Sequence, residues 1–566
     1  MRIKLLVIFL LFSTFGFAQE RYYSDPVKIP MLLSGSFAEL RSNHFHSGID
    51  IKTQGVTGIP VYAAADGYIA RIAVSPGSYG NALYINHPNG TTTVYGHLSA
   101  FSLAVDKYVK DQQYGKKSFQ VDLQLPPYLF PVKQDEEIAK SGNTGSSGGP
   151  HLHFEIRDTK TEEPLNPLNF GFPVTDNIAP KVFSVLIVPL TKASHVAYSG
   201  TPKSYPVVFY DGIYHLKNNP TIPVWGEIGI AVQTNDYFDG TYNKCGINLL
   251  RMSKNNEELF TFVLNRFSFN NTRYVNSHIV YDELKTSKRS FIKTWLEPGN
   301  KLPIYTHIGS KGRIIPKNEQ TDNIQIELQD SYRNTSLLNF SIIGKKAETD
   351  MNTQPTGELF TYDTNNNFEN DSARLFIPAG ALYSNFNFEY RTEPSSDDFF
   401  TAYHFFHNNT VPLHTDATIA LRTNDLPTNL HSKVVLAYVH PVTGEYSAAG
   451  GEYKNGWVST PTRNLGVYAV TVDTIPPKIT PLSLKDNALT ESKRIRFKIK
   501  DDLSGIKNIE GIMDGKWALF EFDAKSSTIT HYFDATRFDL GKNHHFKLTV
   551  TDHRDNTSTY EANFWK

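Results

Sequence analysis

His151-Leu152-His153-Phe154-Glu155-Ile156 alternates polar and apolar residues without a break. A period of two marks a β-strand and sets His151, His153 and Glu155 on one face, with Leu152, Phe154 and Ile156 on the other. Upstream, Gly142 to Pro150 is a glycine- and serine-rich loop. Farther back, Ala82-Leu83-Tyr84-Ile85-Asn86 and Thr91-Thr92-Thr93-Val94-Tyr95 flank Pro88-Asn89-Gly90. Asn-Gly between two strand-like runs signals a hairpin. Gly58 to Val74 holds two more strand-like runs around Asp66-Gly67. This pattern of short strands cut by Gly, Pro and Asn predicts an all-β chain.

Composition agrees. The 566 residues, at roughly 100–200 per domain, suggest about four domains. Lys plus Arg number 56 and Asp plus Glu 57, a formal charge of −1. That balance gives no electrostatic basis for binding nucleic acid. Hydrophobic content of 40% and charged content of 20% describe a folded protein and exclude a disordered chain. The 30 Tyr and 37 Phe favour strands. Coiled-coil, collagen and polytopic membrane classes are excluded.

Residues 1–18 read as a signal peptide: Arg2 and Lys4 are the charged start, Leu5 to Phe12 the apolar run, Gly16-Phe17-Ala18 the cleavage signature before Gln19. The run is short for a bilayer span, so no transmembrane segment is expected in the mature chain. No Cys follows the cut, which argues against a lipid anchor. The expectation is an exported protein of the periplasm or cell envelope, or one that is secreted. Its single cysteine, Cys245, cannot form an internal disulfide and reads as a small buried hydrophobe.

After a polar lead-in to Pro30, the first folded unit is expected over residues 19–172. It includes an insertion at about 100–136, weakly helical over Ala100 to Lys117 and rich in Pro and aromatics near Leu125 to Pro131. An internal repeat follows. Asp176-Asn177-Ile178-Ala179-Pro180-Lys181-Val182 matches Asp473-Thr474-Ile475-Pro476-Pro477-Lys478-Ile479. Asp236 precedes Gly240 as Asp501 precedes Gly505, and Asp330 leads to Asn334-Thr335-Ser336 as Asp552 leads to Asn556-Thr557-Ser558. The copies, 173–345 and 473–566, have the strand and turn spacing of β-sandwiches and resemble immunoglobulin-like modules. Between them, 346–472 is strand-rich, and Leu375 to Leu382 resembles the ZU5-type β-sandwich.

Histidine carries the chemistry. His46 stands four residues before Asp50, His97 follows Tyr95-Gly96, and His151 and His153 share a strand face. A catalytic zinc takes three N, O or S ligands and keeps one position open. Two His and one Asp fit this and leave two imidazoles to move protons. Spacing alone does not say which of His151 and His153 takes the metal.

His46-Ser47-Gly48-Ile49-Asp50, Tyr95-Gly96-His97-Leu98-Ser99 and Gly142 to Glu155 together resemble the lysostaphin-like M23 (LytM-type) zinc metallopeptidases. The resemblance covers about a quarter of the chain. It implies a compact antiparallel β-sheet with a groove, one zinc held by His46, Asp50 and His153, and His97 and His151 as catalytic histidines. It also implies a zinc metalloendopeptidase that hydrolyses peptide cross-links of peptidoglycan, with water activated at the metal. The insertion departs from the family pattern and is expected to pack near the groove and limit access.

Other clusters read as structural. The Gly-rich loop lacks the Gly-Lys-Ser/Thr ending of a phosphate loop and reads as a flexible approach to His151. His44 reads as a surface residue or one behind the metal ligands, with substrate contact the alternative, Glu155 as a ligand-orienting residue or an ion-pair partner, and His404 and His407 as structural histidines. Asp501-Asp502 and Asp552 to Asp555 read as turns, with calcium binding the alternative. The competing function is a non-catalytic wall-binding, hydrolase-activating or adhesion protein that keeps the peptidase fold. Retention of every ligand and catalytic histidine favours the enzyme. The C-terminal β modules are candidates for docking protein partners.

Overall fold

Strand His151–Asp158 runs through the middle of a nine-stranded sheet, antiparallel to Ile49–Lys52 on one side and Thr91–Gly96 on the other. A computed structural model of the chain describes residues 21–347, 356–423 and 426–566. The signal peptide expected at 1–18 lies outside the described residues. No described helix is long and apolar enough to cross a membrane.

The alternation of the opening strand is realised. Leu152, Phe154 and Ile156 are fully buried beneath the sheet and pack with Ile49, Ile51 and Tyr95. The hairpin Ala82–Asn86/Thr91–Gly96 forms where Asn-Gly predicts it, with Gly90 at φ 82° supplying the turn. The polar lead-in behaves differently from its composition, because Tyr23 and Val27 are each 1% exposed and belong to this core.

The insertion is ordered. Helix Leu103–Lys116 buries Val105 and Val109 in the N-terminal core, and strand Val121–Gln124 extends the main sheet by pairing with Gly67–Val74. The helix also receives the last module: Tyr114 meets Trp517 edge-on with ring centres 5.2 Å apart, and Asp111 pairs with Arg537 at 2.5 Å.

The remainder is β apart from the short helices Val275–His278 and Tyr281–Thr286 and a few 3-10 turns, so the chain is all-β in class, with an N-terminal sheet domain and further β modules behind it. Residues 358–472 form two five-stranded sheets over one core, with a small Glu358–Phe360/Phe386–Phe388 pair beside them. Residues 478–565 form a four- and a five-stranded sheet over another core. Residues 181–344 differ: their strands join in one twelve-stranded sheet. The joint is strand Thr335–Gly344, which pairs antiparallel with Thr321–Gln329 and parallel with Ile213–Leu216 and Thr221–Trp225.

This module and the N-terminal domain exchange core residues. Phe37, Ala38 and Phe45 pack into the module's interior, and Phe238 and Cys245 pack into the N-terminal core. That exchange places the second module against one rim of the groove.

Candidate metal centre and active site

Sheet register assembles the site. His153 lies directly opposite Asp50 on one neighbouring strand and opposite Gly96 on the other. Cross-strand partners share a face, so His153 and Asp50 meet above the sheet and His97 arrives one residue beyond Gly96. His46 comes in from the hairpin Leu40–Arg41/His44–Phe45, whose turn uses Asn43 at φ 66°. The structure thus brings His46, Asp50, His97, His151 and His153 to one cleft of about 710 Å³.

Three atoms converge at its floor. Nε2 of His46 is 3.1 Å from Nδ1 of His153 and 3.1 Å from Oδ1 of Asp50, and Nδ1 of His153 is 3.0 Å from the same oxygen. The outer nitrogen of each ring is committed elsewhere. Nδ1 of His46 donates to the Ser36 carbonyl at 2.7 Å, and Nε2 of His153 donates to Oε1 of Glu155 at 2.7 Å. In the neutral tautomers so defined, both inner nitrogens present lone pairs to each other and to a carboxylate. Three acceptors in mutual contact call for a cation between them. Their separations approach the ~3.3 Å edge of a tetrahedron built on zinc–nitrogen distances, so this donor set fits zinc.

The electrostatics agree. Burial opposes ionisation of Asp50, but without a cation, protons on the surrounding rings of His46, His151 and His153 hold its carboxyl well below the usual carboxylate range, a positive charge that a metal ion would supply in their place. The second oxygen of Asp50 accepts from Nη2 of Arg41 at 3.1 Å. Glu155 is fully buried, yet Arg157 and His153 hold it ionised. Nε of Arg157 lies 2.6 Å from Oε2 of Glu155.

His97 and His151 sit beside the triad with ring centres 4.7 Å apart. Nδ1 of His97 donates to the Thr144 carbonyl at 2.8 Å and Nδ1 of His151 to the Gly149 carbonyl at 2.8 Å. Each therefore keeps Nε2 as a proton acceptor facing the cleft. Nε2 of His151 is 3.4 Å from Oδ1 of Asp50. Burial pushes the His97 imidazole down to about 3, so it stays neutral near pH 7.

The Gly-rich loop is tighter than its composition suggests. A Cβ on Gly142 would stand 2.5 Å from the His97 carbonyl oxygen, and Gly145, at φ 69°, lies against the backbone of Gly80. Only Gly148 and Gly149 have open space around them. The first half of the loop is a packing element that fixes His97, and the second half borders the cleft.

The insertion does not cover the groove. No residue of 100–136 lines the cleft of the metal triad. Gln120 to Asp122 line an adjoining cleft of about 590 Å³ that meets it at Ser78 and Tyr79. The rim is built instead by Phe269 and Thr272 of the following module. The cause is the core exchange: the backbone amide of Phe45 donates to Oγ1 of Thr272 at 2.7 Å and carries that segment to the edge of the site.

Sequence reading passes over several groups that shape this site. Arg157 continues the alternation His151, His153, Glu155 by one more step, and that period was the available signal. Tyr79, whose hydroxyl contacts Oγ of Ser47 at 2.9 Å, and Arg41 carry no motif. His44 is exposed at the cleft edge, with its ring nitrogen 2.8 Å from the Ser42 carbonyl, and makes no contact with the triad. His404 is 2% exposed and bonds the Tyr390 hydroxyl, a core histidine.

Residues 44–115 match the model of Peptidase family M23, and residues 357–473 match that of the Zu5-like domain. Over 137 residues the chain is 36% identical to DD-carboxypeptidase/endopeptidase Mpg of Neisseria meningitidis, covering 24% of this chain and 25% of that protein. It is 30% identical over 142 residues to peptidoglycan DD-endopeptidase ShyA of Vibrio cholerae, covering 25% of this chain and 26% of that one. Among solved structures, a zinc-containing peptidase from Vibrio cholerae is 27% identical, with a TM-score of 0.19, over 26% of this chain and 38% of that one. The chain thus matches about a quarter of the length of these curated relatives. The family match over residues 44–115 carries His46, Asp50 and His97, and together with the curated relatives it identifies an M23-type peptidase domain near the N-terminus of this chain.

Proposed function

We propose that the protein is an exported zinc metalloendopeptidase that hydrolyses peptide cross-links of peptidoglycan. One observation carries the reading: three metal-accepting atoms and two further proton-accepting imidazoles share the floor of an open cleft. The names of the relatives, both DD-endopeptidases, favour a D-alanyl cross-link as the bond cut.

His46, Asp50 and His153 would hold the ion. When bound, zinc supplies a Lewis acid that makes water nucleophilic near neutral pH and polarises a carbonyl. The chain's own groups do the rest. Arg41 and Glu155 orient the Asp50 carboxylate and the His153 ring. His97 and His151, anchored through Nδ1 to backbone carbonyls, each present Nε2 to the cleft. One accepts a proton from the attacking water, and the pair returns a proton to the leaving amine. Phe269 and the Ser147-Gly148 backbone border the space in which a peptide strand lies.

The test separates metal binding from proton transfer. His153→Ala should lose bound zinc and, with it, activity. His151→Ala and His97→Ala should keep about one zinc per chain and each lose roughly 10²–10⁴ in turnover on purified peptidoglycan. A zinc-free His151→Ala protein, or a fully active His97→Ala protein, contradicts the assignment.

A further inference from the structure

The three aspartates that mark the internal repeat converge in space. In the first copy Asp176, Asp236 and Asp330 bring one carboxylate oxygen each to within 4.8 Å of the others, and in the last module Asp473, Asp501 and Asp552 do the same. The surrounding hydrogen bonds are also shared. Nδ2 of Asn334 donates to Oδ2 of Asp330 at 2.6 Å and to the Asp176 carbonyl at 3.1 Å. Nδ2 of Asn556 donates to Oδ2 of Asp552 at 2.7 Å and to the Asp473 carbonyl at 2.9 Å.

The two clusters differ in how their charge is met. In the last module Oδ2 of Asp473 accepts from the Ser504 amide at 3.0 Å and Oδ2 of Asp501 from the Gly505 amide at 2.6 Å. The Arg554 guanidinium is half-buried there, and its charge acts on Asp473 and Asp552. In the first copy the equivalent position is Tyr332, which brings no charge. Asp236 is 1% exposed, and its Oδ1 has no hydrogen-bond partner among the described residues; neither has Oδ2 of Asp176, 9% exposed. The charged groups acting most strongly on these two are further carboxylates, Asp330 and Asp239 among them. Burial and this repulsion push Asp176 up to about 7 and Asp236 up to about 9.

We infer that Asp176, Asp236 and Asp330 form a calcium site at the junction of the peptidase domain and the following module, while the cluster at Asp473 is balanced internally by Arg554. The donors are all carboxylate oxygens, hard ligands close enough together to share one ion. Magnesium dehydrates reluctantly and is seldom held in an all-protein cage, so a buried trio of carboxylates favours calcium. The location gives the ion a purpose. Asp236 and Cys245 exchange backbone hydrogen bonds of 2.9 Å, and Phe238 and Cys245 are buried in the peptidase core. The next amide, that of Gly246, donates to Oγ of Ser36 at 2.9 Å, and the Ser36 carbonyl holds the ring of His46. Calcium at this point braces the segment that supports a zinc ligand.

The test uses the zinc-loaded full chain, so that the His-Asp-His site is already filled. Titration with CaCl2 should show one saturable site with Kd of about 10⁻⁴–10⁻³ M, the range of extracellular modules. The same salt should raise the melting temperature, and MgCl2 should do so less. Asp236→Asn should weaken calcium binding by ~10-fold or more and lose the thermal shift. Without calcium it should be at least as stable as wild type, because a repelled buried carboxylate is gone. Asp176→Asn, at the more accessible ligand, repeats the test should Asp236→Asn fail to fold. Asp501→Asn should bind as wild type does. No saturable calcium uptake by the wild-type chain, unchanged binding in both first-copy variants, equal binding of magnesium, or loss of binding in Asp501→Asn overturns the inference.

Discussion

Oε1 of Glu155 accepts a hydrogen bond from Nε2 of His153 at 2.7 Å, and this contact decides which nitrogen of His153 faces Asp50. With the proton held on Nε2, the lone pair on Nδ1 points into the metal position. Oε2 of Glu155 is in turn locked by Arg157, so the support continues through two buried side chains.

Glu155→Gln keeps the shape and removes the charge. It should lower zinc affinity by ~10–100-fold, the usual effect of losing a partner behind a metal ligand. It also leaves Arg157 buried without its counter-ion, at a cost of about 3–5 kcal/mol. Chelator competition reads the first effect and chemical denaturation the second. Unchanged zinc affinity would mean that the His153 ring is oriented by other groups.

Gly142 and Gly149 lie in the same loop but face different demands. Gly142→Ala places a Cβ 2.5 Å from the His97 carbonyl oxygen, whereas Gly149→Ala meets nothing within 4 Å. A shift of about 1 Å in a reacting group costs up to ~10²-fold in rate. Gly142→Ala should therefore lose activity on that scale with zinc retained, and Gly149→Ala should stay near wild type. Equal turnover in the two variants contradicts the account of the loop as the element that fixes His97.

His404 makes the Zu5-like module acid-sensitive. Burial pushes its imidazole down from the ordinary 6.5 to about 4. Below pH 6.5 the unfolded chain takes up a proton that the folded module refuses. Stability is thus complete above pH 6.5 and is lost as pH falls towards 4, by about 3 kcal/mol in total. Calorimetry at pH 7 and at pH 4.5 should show this drop in wild type and a smaller one in His404→Gln. Identical drops in both proteins would remove His404 as the cause.

The chemistry of the site was legible because its parts are local motifs. A period-two strand gives His151, His153 and Glu155 their shared face, and short sequence blocks hold His46 with Asp50 and His97 with Gly96. The repeat was legible through its aspartates, although the sequence does not show that they meet. What escaped is long-range packing. Phe37 and Phe45 belong to no motif, yet they enter the core of another module and bring Phe269 and Thr272 to the groove. The insertion reads as a lid by its position between motifs, but Val105 and Val109 tie its helix to the peptidase core and its outer face holds the last module. Tyr23 and Val27 lie in a polar stretch and are buried by neighbours distant in the chain.

Mass spectrometry of purified muropeptide dimers, joined through a D-alanyl cross-link, after incubation with the zinc-loaded protein reads the proposed reaction itself. The account predicts conversion of dimers to monomers by hydrolysis of that amide, no conversion after zinc is removed, and recovery when zinc is restored. Dimers left intact by a protein that carries one zinc per chain would contradict it.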